Sequence, residues 1–161
     1  MEIRELLASD WEAVKLIYEK GINRGNATFQ ASAPSHEEWD STHLLTCRIV
    51  AEEKGRLVGW AALTPVSSRC VYAGVAEVSV YVDPEQSGQG IRLALLKELV
   101  GLSEAEGIWT LQAGIFPENI GSLRIHEKAG LKILGIREKI GKQNGVWRDT
   151  VLMERRSNTI I

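Results

Sequence analysis

The stretch from residue 77 to about residue 106 constrains the fold most, because it predicts a strand, a glycine loop and a helix in direct succession. Residues 77–82 alternate well enough to form a central strand, and Asp83-Pro84 ends it. Gly88 and Gly90 come directly before apolar residues at helical spacing, which run to about Glu106. The centre of the chain therefore predicts a sheet strand with a helix packed against it.

Capping signals and apolar spacing predict two helices before this unit. Ser9 to Glu12 is a capping signal for a helix over about residues 10 to 20, with apolar residues on one face. A polar loop from Gly21 to Pro34 follows, and Ser35 with Glu38 then predicts the start of a second helix.

Two hairpins are predicted, one on each side of the central unit, with turns at Lys54-Gly55 and Asn144-Gly145. Their strands are expected over 48–53, 57–63, 133–140 and 146–153. A strand over 109–113 and a helix from Asn119 to Gly130 lie between the central unit and the second hairpin. This order predicts an α/β fold with a mixed sheet and helices on both of its faces.

Composition narrows the class of protein. The chain has 161 residues, of which 44% are hydrophobic and 25% are charged, and it contains no repeat or long linker. We therefore expect a single domain over residues 1–161. The formal net charge of −2 lacks the basic excess that phosphate backbones attract, so nucleic acid is not an expected partner.

The sequence favours a cytoplasmic location. The charged start, from Met1 to Glu5, shows no apolar core of a signal peptide, and no apolar run approaches the length of a membrane span. Cys47 and Cys70 have no metal-ligand spacing, so we expect free, buried thiols and no metal site.

The glycine loop itself suggests anion binding. Glycines at the start of a helix let backbone N–H groups approach a ligand, and the helix dipole adds positive charge, so the geometry suits a diphosphate. A tight turn that simply needs glycine accounts for Gly88 and Gly90 equally well. No Lys-Ser/Thr pair follows them, and no third glycine completes a dinucleotide fingerprint.

A second segment, Asn119 to Leu131, follows about thirty residues later, and together the two segments resemble the GNAT superfamily of acetyl-CoA-dependent N-acetyltransferases. The resemblance runs from the first helix to Met153. Within the superfamily the chain looks most like the phosphinothricin and methionine sulfoximine acetyltransferases. That likeness lies in the segments Asn26–Phe29, Tyr72, Glu77–Val82, His126–Lys128 and Gly145–Asp149. It implies the acyl-CoA N-acyltransferase fold, whose mixed sheet is mostly antiparallel.

The chain departs from the family pattern at two places. The family loop usually reads Arg or Gln, two residues, Gly, one residue, then Gly or Ala. Here the same frame falls on Ser87, Gly90 and Arg92, so a bulky cation stands where a small residue is usual. Leu131 replaces the usual Phe, which changes packing rather than chemistry.

The resemblance implies a set of residues that bind acetyl-CoA. The backbone of Val80, Tyr81 and Val82 would pair with the pantetheine arm as an added strand does. The diphosphate would lie on the loop and first turn formed by Gly88, Gln89, Gly90, Ile91, Arg92 and Leu93. Asn119 and Ser122 would lie near the thioester, although Asn119 is also a strong candidate for a plain helix N-cap.

Acetyl transfer needs a base, an oxyanion site and a proton for the departing thiolate. Glu77 is the implied base, acting directly or through a water, and a solvated strand-end charge is the alternative. His126 stands where many relatives carry a Tyr that is thought to protonate the thiolate, and a packing histidine is its alternative. The backbone N–H groups of residues 80–82 are the expected oxyanion donors.

The acceptor pocket is predicted from the same resemblance. Phe29 and Tyr72 would wall it, and a carboxylate would meet Arg69 or the backbone of Ala73, Gly74 and Val75. Both aromatic residues are equally consistent with an ordinary core role. Trp147 and Asp149 are expected near the same region or, in a dimer, at the neighbour's site.

The sequence therefore predicts an enzyme that moves the acetyl group of acetyl-CoA to the amine of a small amino acid or analogue, without a covalent intermediate. A protein N-terminus or a polyamine is the alternative acceptor. A non-catalytic acetyl-CoA sensor is the alternative outside enzymes, with Arg92 as its main support. The resemblance also implies a homodimer, in keeping with the hydrophobic hairpin near the C-terminus.

Overall fold

A seven-stranded sheet runs through the protein in the order β1-β2-β3-β4-β5-β7-β6. The computed structural model describes all residues from Met1 to Ile161. The strands are β1 Glu2–Glu5, β2 Ile49–Glu53, β3 Arg56–Pro65, β4 Val75–Val82, β5 Thr110–Ile115, β6 Lys132–Gln143 and β7 Val146–Arg156. The helices are α1 Trp11–Asn23, α2 His36–Thr42, α3 Ile91–Ala105 and α4 Ile120–Lys128. Only β4 and β5 pair in parallel, so the predicted mixed, mostly antiparallel sheet is confirmed.

Helices cover both faces of this sheet, as predicted. The side chains of β3 alternate between the faces, so Trp60 packs with α1 and α2 while Ala61 packs with α3. The rings of Trp60, Tyr18 and Tyr81 all pack against one another, with centroids 4.8 to 5.6 Å apart. The sheet is therefore the middle layer of three, with one core on each side. No helix is long and apolar enough to cross a membrane.

Three local features differ from the sequence expectations. β1 is a strand that the sequence did not indicate, because its charged residues are held by pairing with β2 rather than by local propensity. α1 continues past residue 20 to Asn23: Gly21 sits inside it because the Tyr81 ring lies 2.8 Å from where a Cβ would be. Residues 70–72 form a 3₁₀ turn, and β4 begins at Val75, two residues before the predicted start of the central strand. Cys70 lies on that turn and is exposed, whereas Cys47 is buried as expected.

The loop before α3 requires its glycines for backbone reasons. Gly88 and Gly90 have φ angles of +82° and +76°, a left-handed conformation that other residues adopt only with strain. Gly90 is the N-cap of α3. The loop therefore turns the chain from β4 into α3 and leaves the first N–H groups of the helix without intrahelical partners.

β4 and β5 separate after a short paired stretch, and this separation positions the site. Only Val75–Glu77 pairs with Thr110–Gln112. The N–H of Asp83 donates to Val58 C=O at 2.8 Å on β3. Because successive residues of a strand point their N–H groups to opposite sides, the amides of Val80 and Val82, beyond the paired stretch, face the gap. Tyr81, by the same alternation, directs its amide toward β3.

Gly74 lies at the base of the gap, and its substitution is expected to change the stability of the protein. A Cβ added there would lie 2.0 Å from Trp109 Cε3, and Trp109 N–H donates to Gly74 C=O at 2.8 Å. Gly74→Ala is expected to lower the free energy of unfolding by about 1–3 kcal/mol in urea titrations, because the indole ring must move. Gly101→Ala, on the exposed face of α3 with open space around it, is the control and should not destabilise the protein. Equal stability of the Gly74 variant and the wild type would contradict the close packing.

Candidate active site

A cleft of 860 Å³ opens where β4 and β5 separate. Its walls come from both strands, from the loop after α1, from the starts of α3 and α4, and from β6. Nine of the side chains or strand positions predicted from the sequence line it, namely Phe29, Glu77, Val80, Tyr81, Val82, Arg92, Asn119, Ser122 and His126. The topology thus brings together residues that are up to 97 positions apart in the chain.

The glycine loop lies at the edge of this cleft. Gly88, Gln89 and Gly90 are exposed, and Ile91 is buried in the core beneath α3. Ser87 and Arg92 are the members of the segment from 87 to 93 that line the cleft itself. Leu93 is half-buried on α3 and does not line it.

Five predicted acceptor residues lie outside the cleft, which corrects the sequence interpretation. Arg69 stacks over the ring of Tyr72 at 5.5 Å in an exposed turn. Ala73 ends that turn, Gly74 packs on Trp109, and Val75 pairs with Thr110. These residues precede the point where β4 and β5 part, so within one chain they cannot wall the opening. Phe29 is the one predicted acceptor-pocket residue that the structure places in the cleft.

Glu77 stands at the closed end of the gap. It occupies the last position of β4 that still pairs with β5, opposite Gln112. Gln112 Nε2 donates to Glu77 Oε1 at 3.3 Å, which orients the half-buried carboxylate. Its other oxygen has no protein partner, so it remains available for a proton or a water.

Asn119 caps α4, as the plainer interpretation of the sequence predicted. Its side-chain oxygen accepts from Ser122 N–H at 3.2 Å. Its Nδ2 donates to Asn26 C=O at 3.2 Å, on the loop after α1. Asn119 therefore ties that loop to the start of α4, and both ends of its amide are already engaged.

The hydrogen bonds of His126 define which ring nitrogen carries a proton. Its Nδ1 lies 2.7 Å from Ser122 C=O, and a carbonyl oxygen can only accept, so Nδ1 carries the proton. Burial lowers the pKa of His126, and the charge of Arg92 lowers it further. The neutral ring therefore offers a lone pair at Nε2. The sequence predicted that His126 donates a proton to the departing thiolate. That role needs a proton at Nε2, so this geometry disfavours it.

The buried histidines predict a loss of stability in mild acid. Burial lowers the pKa of His43, as it does that of His126. Unfolding exposes both rings to water, where their pKa returns to about 6.5 and they bind protons more readily. The free energy of unfolding should thus be steady above that value and fall as the pH drops below it. In His126→Gln the free energy of unfolding should fall less steeply with decreasing pH, as measured by denaturant titrations at several pH values. The same pH dependence in the variant and the wild type would contradict a lowered pKa for His126.

Arg92 is one of three arginines that line the cleft, together with Arg24 and Arg137. It lies in the first turn of α3, and its Nε is buried without a hydrogen-bond partner. None of the ion pairs of the protein includes it. Burial lowers the pKa of this guanidinium.

Arg148, on β7, holds the loop after α1 over the cleft. Its guanidinium donates to Gly25 C=O at 2.7 Å and to Asn26 Oδ1 at 2.7 Å. It also donates to Gln143 and, at 3.1 Å, to Glu118, and it stacks on the Phe116 ring at 3.7 Å. The sequence analysis placed Arg148 within a family segment without giving it a role. One side chain thus joins four segments around the cleft.

The residues present fit acetyl-CoA. The free amides of β4 can pair with an extended diamide such as the pantetheine arm. The start of α3, preceded by left-handed glycines, suits a diphosphate. Arg92 adds positive charge to the lining of the cleft.

Known proteins match the chain along nearly its whole length. The family described as Acetyltransferase (GNAT) domain matches residues 3–152. A phosphinothricin N-acetyltransferase from Alcaligenes faecalis is 32% identical, over 97% of this chain and 82% of that protein. An L-methionine sulfoximine/L-methionine sulfone acetyltransferase from Pseudomonas aeruginosa is 24% identical, over 94% of this chain and 92% of that protein.

A solved structure agrees. A GNAT superfamily phosphinothricin acetyltransferase from Sinorhizobium meliloti, in complex with AcCoA, superposes with a TM-score of 0.85. It is 28% identical and covers 99% of this chain and 94% of that one.

The fold and the cleft define an acyltransferase that uses a coenzyme A thioester. The chain belongs to the GNAT acetyltransferases and is an acetyl-CoA-dependent N-acetyltransferase. The family and the fold predicted from the sequence are both confirmed.

Proposed function

We propose that this enzyme, as one domain over residues 1–161, acetylates the primary amine of a small amino acid or analogue of the phosphinothricin or methionine sulfoximine type. The observation that carries the proposal is the loop after α1, which lines the cleft and is hydrogen-bonded to α4, β6 and β7. Asn119, Gln143 and Arg148 all bond to the loop from Gly25 to Thr28, and Phe29 of that loop packs on Phe116 with centroids 4.9 Å apart. A loop fastened in this way favours a small acceptor over a peptide. The activities of the similar enzymes support the same class.

In this proposal β4 and α3 bind acetyl-CoA together. The backbone of Val80 and Val82 pairs with the pantetheine arm, and the Val80 N–H stabilises the oxyanion. The segment Gly88–Leu93 binds the diphosphate through main-chain N–H groups. Tyr81 contributes its side chain as a wall of the cleft, because its amide faces β3.

Glu77 acts as the base in direct transfer. An acceptor that arrives as an ammonium ion has no free electron pair, so Glu77 first takes a proton from it, directly or through a water. The nitrogen then forms its bond to the thioester carbon and loses its second proton to solvent. The carbon–sulfur bond then breaks and its electron pair stays with sulfur. Ser122 and Asn119 shape the far wall and fix the start of α4.

The acceptor carboxylate is bound by Arg137, from β6. Arg24 and Arg137 both line the cleft and neither forms an ion pair within the protein. Arg137 belongs to the rigid sheet, opposite Thr150 of β7, which also lines the cleft. It takes the role that the sequence analysis gave to Arg69.

An acceptor screen tests this function. Thiol release from acetyl-CoA would be measured with amino acids and their sulfone, sulfoximine and phosphinate analogues. Each is paired with the same amine lacking its α-carboxylate, and polyamines and short peptides complete the panel. We expect the highest kcat/KM among the amino-acid analogues and a preference for the carboxylate that Arg137→Ala removes. A preference for peptides or polyamines, or no preference for the carboxylate, would overturn the assignment.

We also propose that the enzyme is a cytoplasmic homodimer. Both cysteines are free thiols, which accords with a reducing compartment. β6 is an edge strand whose Ile133, Ile136 and Ile140 are between 49% and 65% exposed, and Trp147 beside it is 54% exposed. An edge of this kind is normally covered. Light scattering should give a dimer mass for the wild type and a monomer mass for Ile136→Lys, and a monomeric wild type would contradict this.

A further inference from the structure

The Arg92 guanidinium is a partly buried cation for which the protein supplies no anion. Neither carboxylate of the cleft forms an ion pair with Arg92: Glu118 pairs with Arg148 at 3.1 Å, and Glu77 accepts from Gln112. The titratable groups that face the cleft from the other elements are Tyr81, His126, Arg24 and Arg137, and none of them is an anion at neutral pH. A buried charge left unpaired is unfavourable, so the site is suited to a ligand that brings negative charge.

The wall around Arg92 also lacks a proton donor for the leaving group. His126 shares this wall and, in its neutral form, presents a lone pair at Nε2. Burial raises the pKa of Tyr81, which makes its phenol a weaker acid. A thiol is far more acidic than an amine, with a pKa of about 8.5, so its anion can leave without a proton if a cation stabilises it.

We propose that Arg92 is a catalytic residue whose guanidinium stabilises the coenzyme A thiolate as it leaves. The acceptor nitrogen forms its bond to the carbonyl carbon, the carbon–sulfur bond breaks, and the electron pair stays on sulfur beside Arg92. The proton of the amine passes to Glu77 and then to solvent, and the thiolate takes its proton from solvent after release. The proposal uses the coenzyme path given above and does not depend on which amine is the acceptor.

The number of protons released when the coenzyme binds tests this role of Arg92 without any acceptor present. Calorimetry of the wild type at pH 7 in buffers of different ionisation enthalpy would compare coenzyme A with desulfo-coenzyme A, which lacks the sulfur. Because the free thiol is mostly protonated at that pH, binding as thiolate should release about one proton more than the desulfo compound does. No difference between the two ligands would overturn the proposal.

Variants at position 92 assign the effect to the guanidinium. Arg92→Gln should no longer release the extra proton when coenzyme A binds. It should bind coenzyme A more weakly and desulfo-coenzyme A with the wild-type affinity. Its kcat should fall about 10²-fold. Arg92→Lys keeps the charge and should retain most of the proton release, as should His126→Gln. If Arg92→Gln binds both ligands more weakly by the same factor and still releases the extra proton, Arg92 interacts with the diphosphate instead. That result would overturn the proposal. Because the calorimetry uses no acceptor, its results stand apart from the acceptor screen.

Discussion

Glu77→Gln is expected to lower kcat by about 10²–10⁴-fold at pH 7, because the amide cannot accept the proton of the acceptor amine. Glu77 lies at the closed end of the gap between β4 and β5, with one oxygen bonded to Gln112 and the other free. Gln has nearly the same shape, so the binding of acetyl-CoA should not change. Steady-state kinetics together with calorimetric titration of the coenzyme separate the two effects.

The pH dependence strengthens this test. At high pH the acceptor amine loses its proton to solvent without help, so the deficit of Glu77→Gln should shrink as the pH rises. Glu98→Gln, an exposed change on α3, is the matched control and should leave kcat unchanged. A Glu77→Gln enzyme with kcat within about twofold of the wild type at pH 7 would remove Glu77 from the role of base.

Arg148→Met is expected to lower kcat/KM for the acceptor by about 10²-fold, because the loop that carries Phe29 loses its fastening. The same change should lower the free energy of unfolding by about 3 kcal/mol, since it breaks several charge-assisted hydrogen bonds and leaves Glu118 unpaired. KM for acetyl-CoA should change much less, because the coenzyme lies on β4 and α3. Kinetics with each substrate varied in turn, and urea titration, measure these effects.

Two further variants control for this effect. Arg148→Lys keeps the charge but cannot bond to three other segments at once, so its kcat/KM for the acceptor should be intermediate. Arg124→Met, on the exposed face of α4, removes an arginine that bonds to nothing and should be neutral. If Arg148→Met keeps the wild-type kcat/KM for the acceptor, the loop does not depend on this residue.

Much of the fold follows from local signals in the sequence. The turns at Lys54-Gly55 and Asn144-Gly145 place two consecutive residues at positive φ, and their side-chain chemistry suits that conformation. Ser35 accepts from Glu38 N–H at 3.2 Å, so the capping signal of α2 is real. Where one short segment decides the structure, the sequence was sufficient to predict it.

Features that depend on distant contacts escaped the sequence analysis. β1 exists because β2 lies beside it, about 45 residues away along the chain. The bonds of Arg148 to Gly25 and Asn26 span more than 120 residues, and nothing in either segment alone indicates them. The state of His126 depends on one 2.7 Å contact to Ser122 C=O.

A crystal structure of the enzyme with coenzyme A bound tests the account most directly. We predict that diphosphate oxygens accept hydrogen bonds from the N–H groups of residues 88–93. The pantetheine amides should pair with Val80 and Val82, and the sulfur should lie beside the Arg92 guanidinium on the path to Glu77. A coenzyme bound outside the gap between β4 and β5, with the Arg92 side chain filling that gap, would contradict the account.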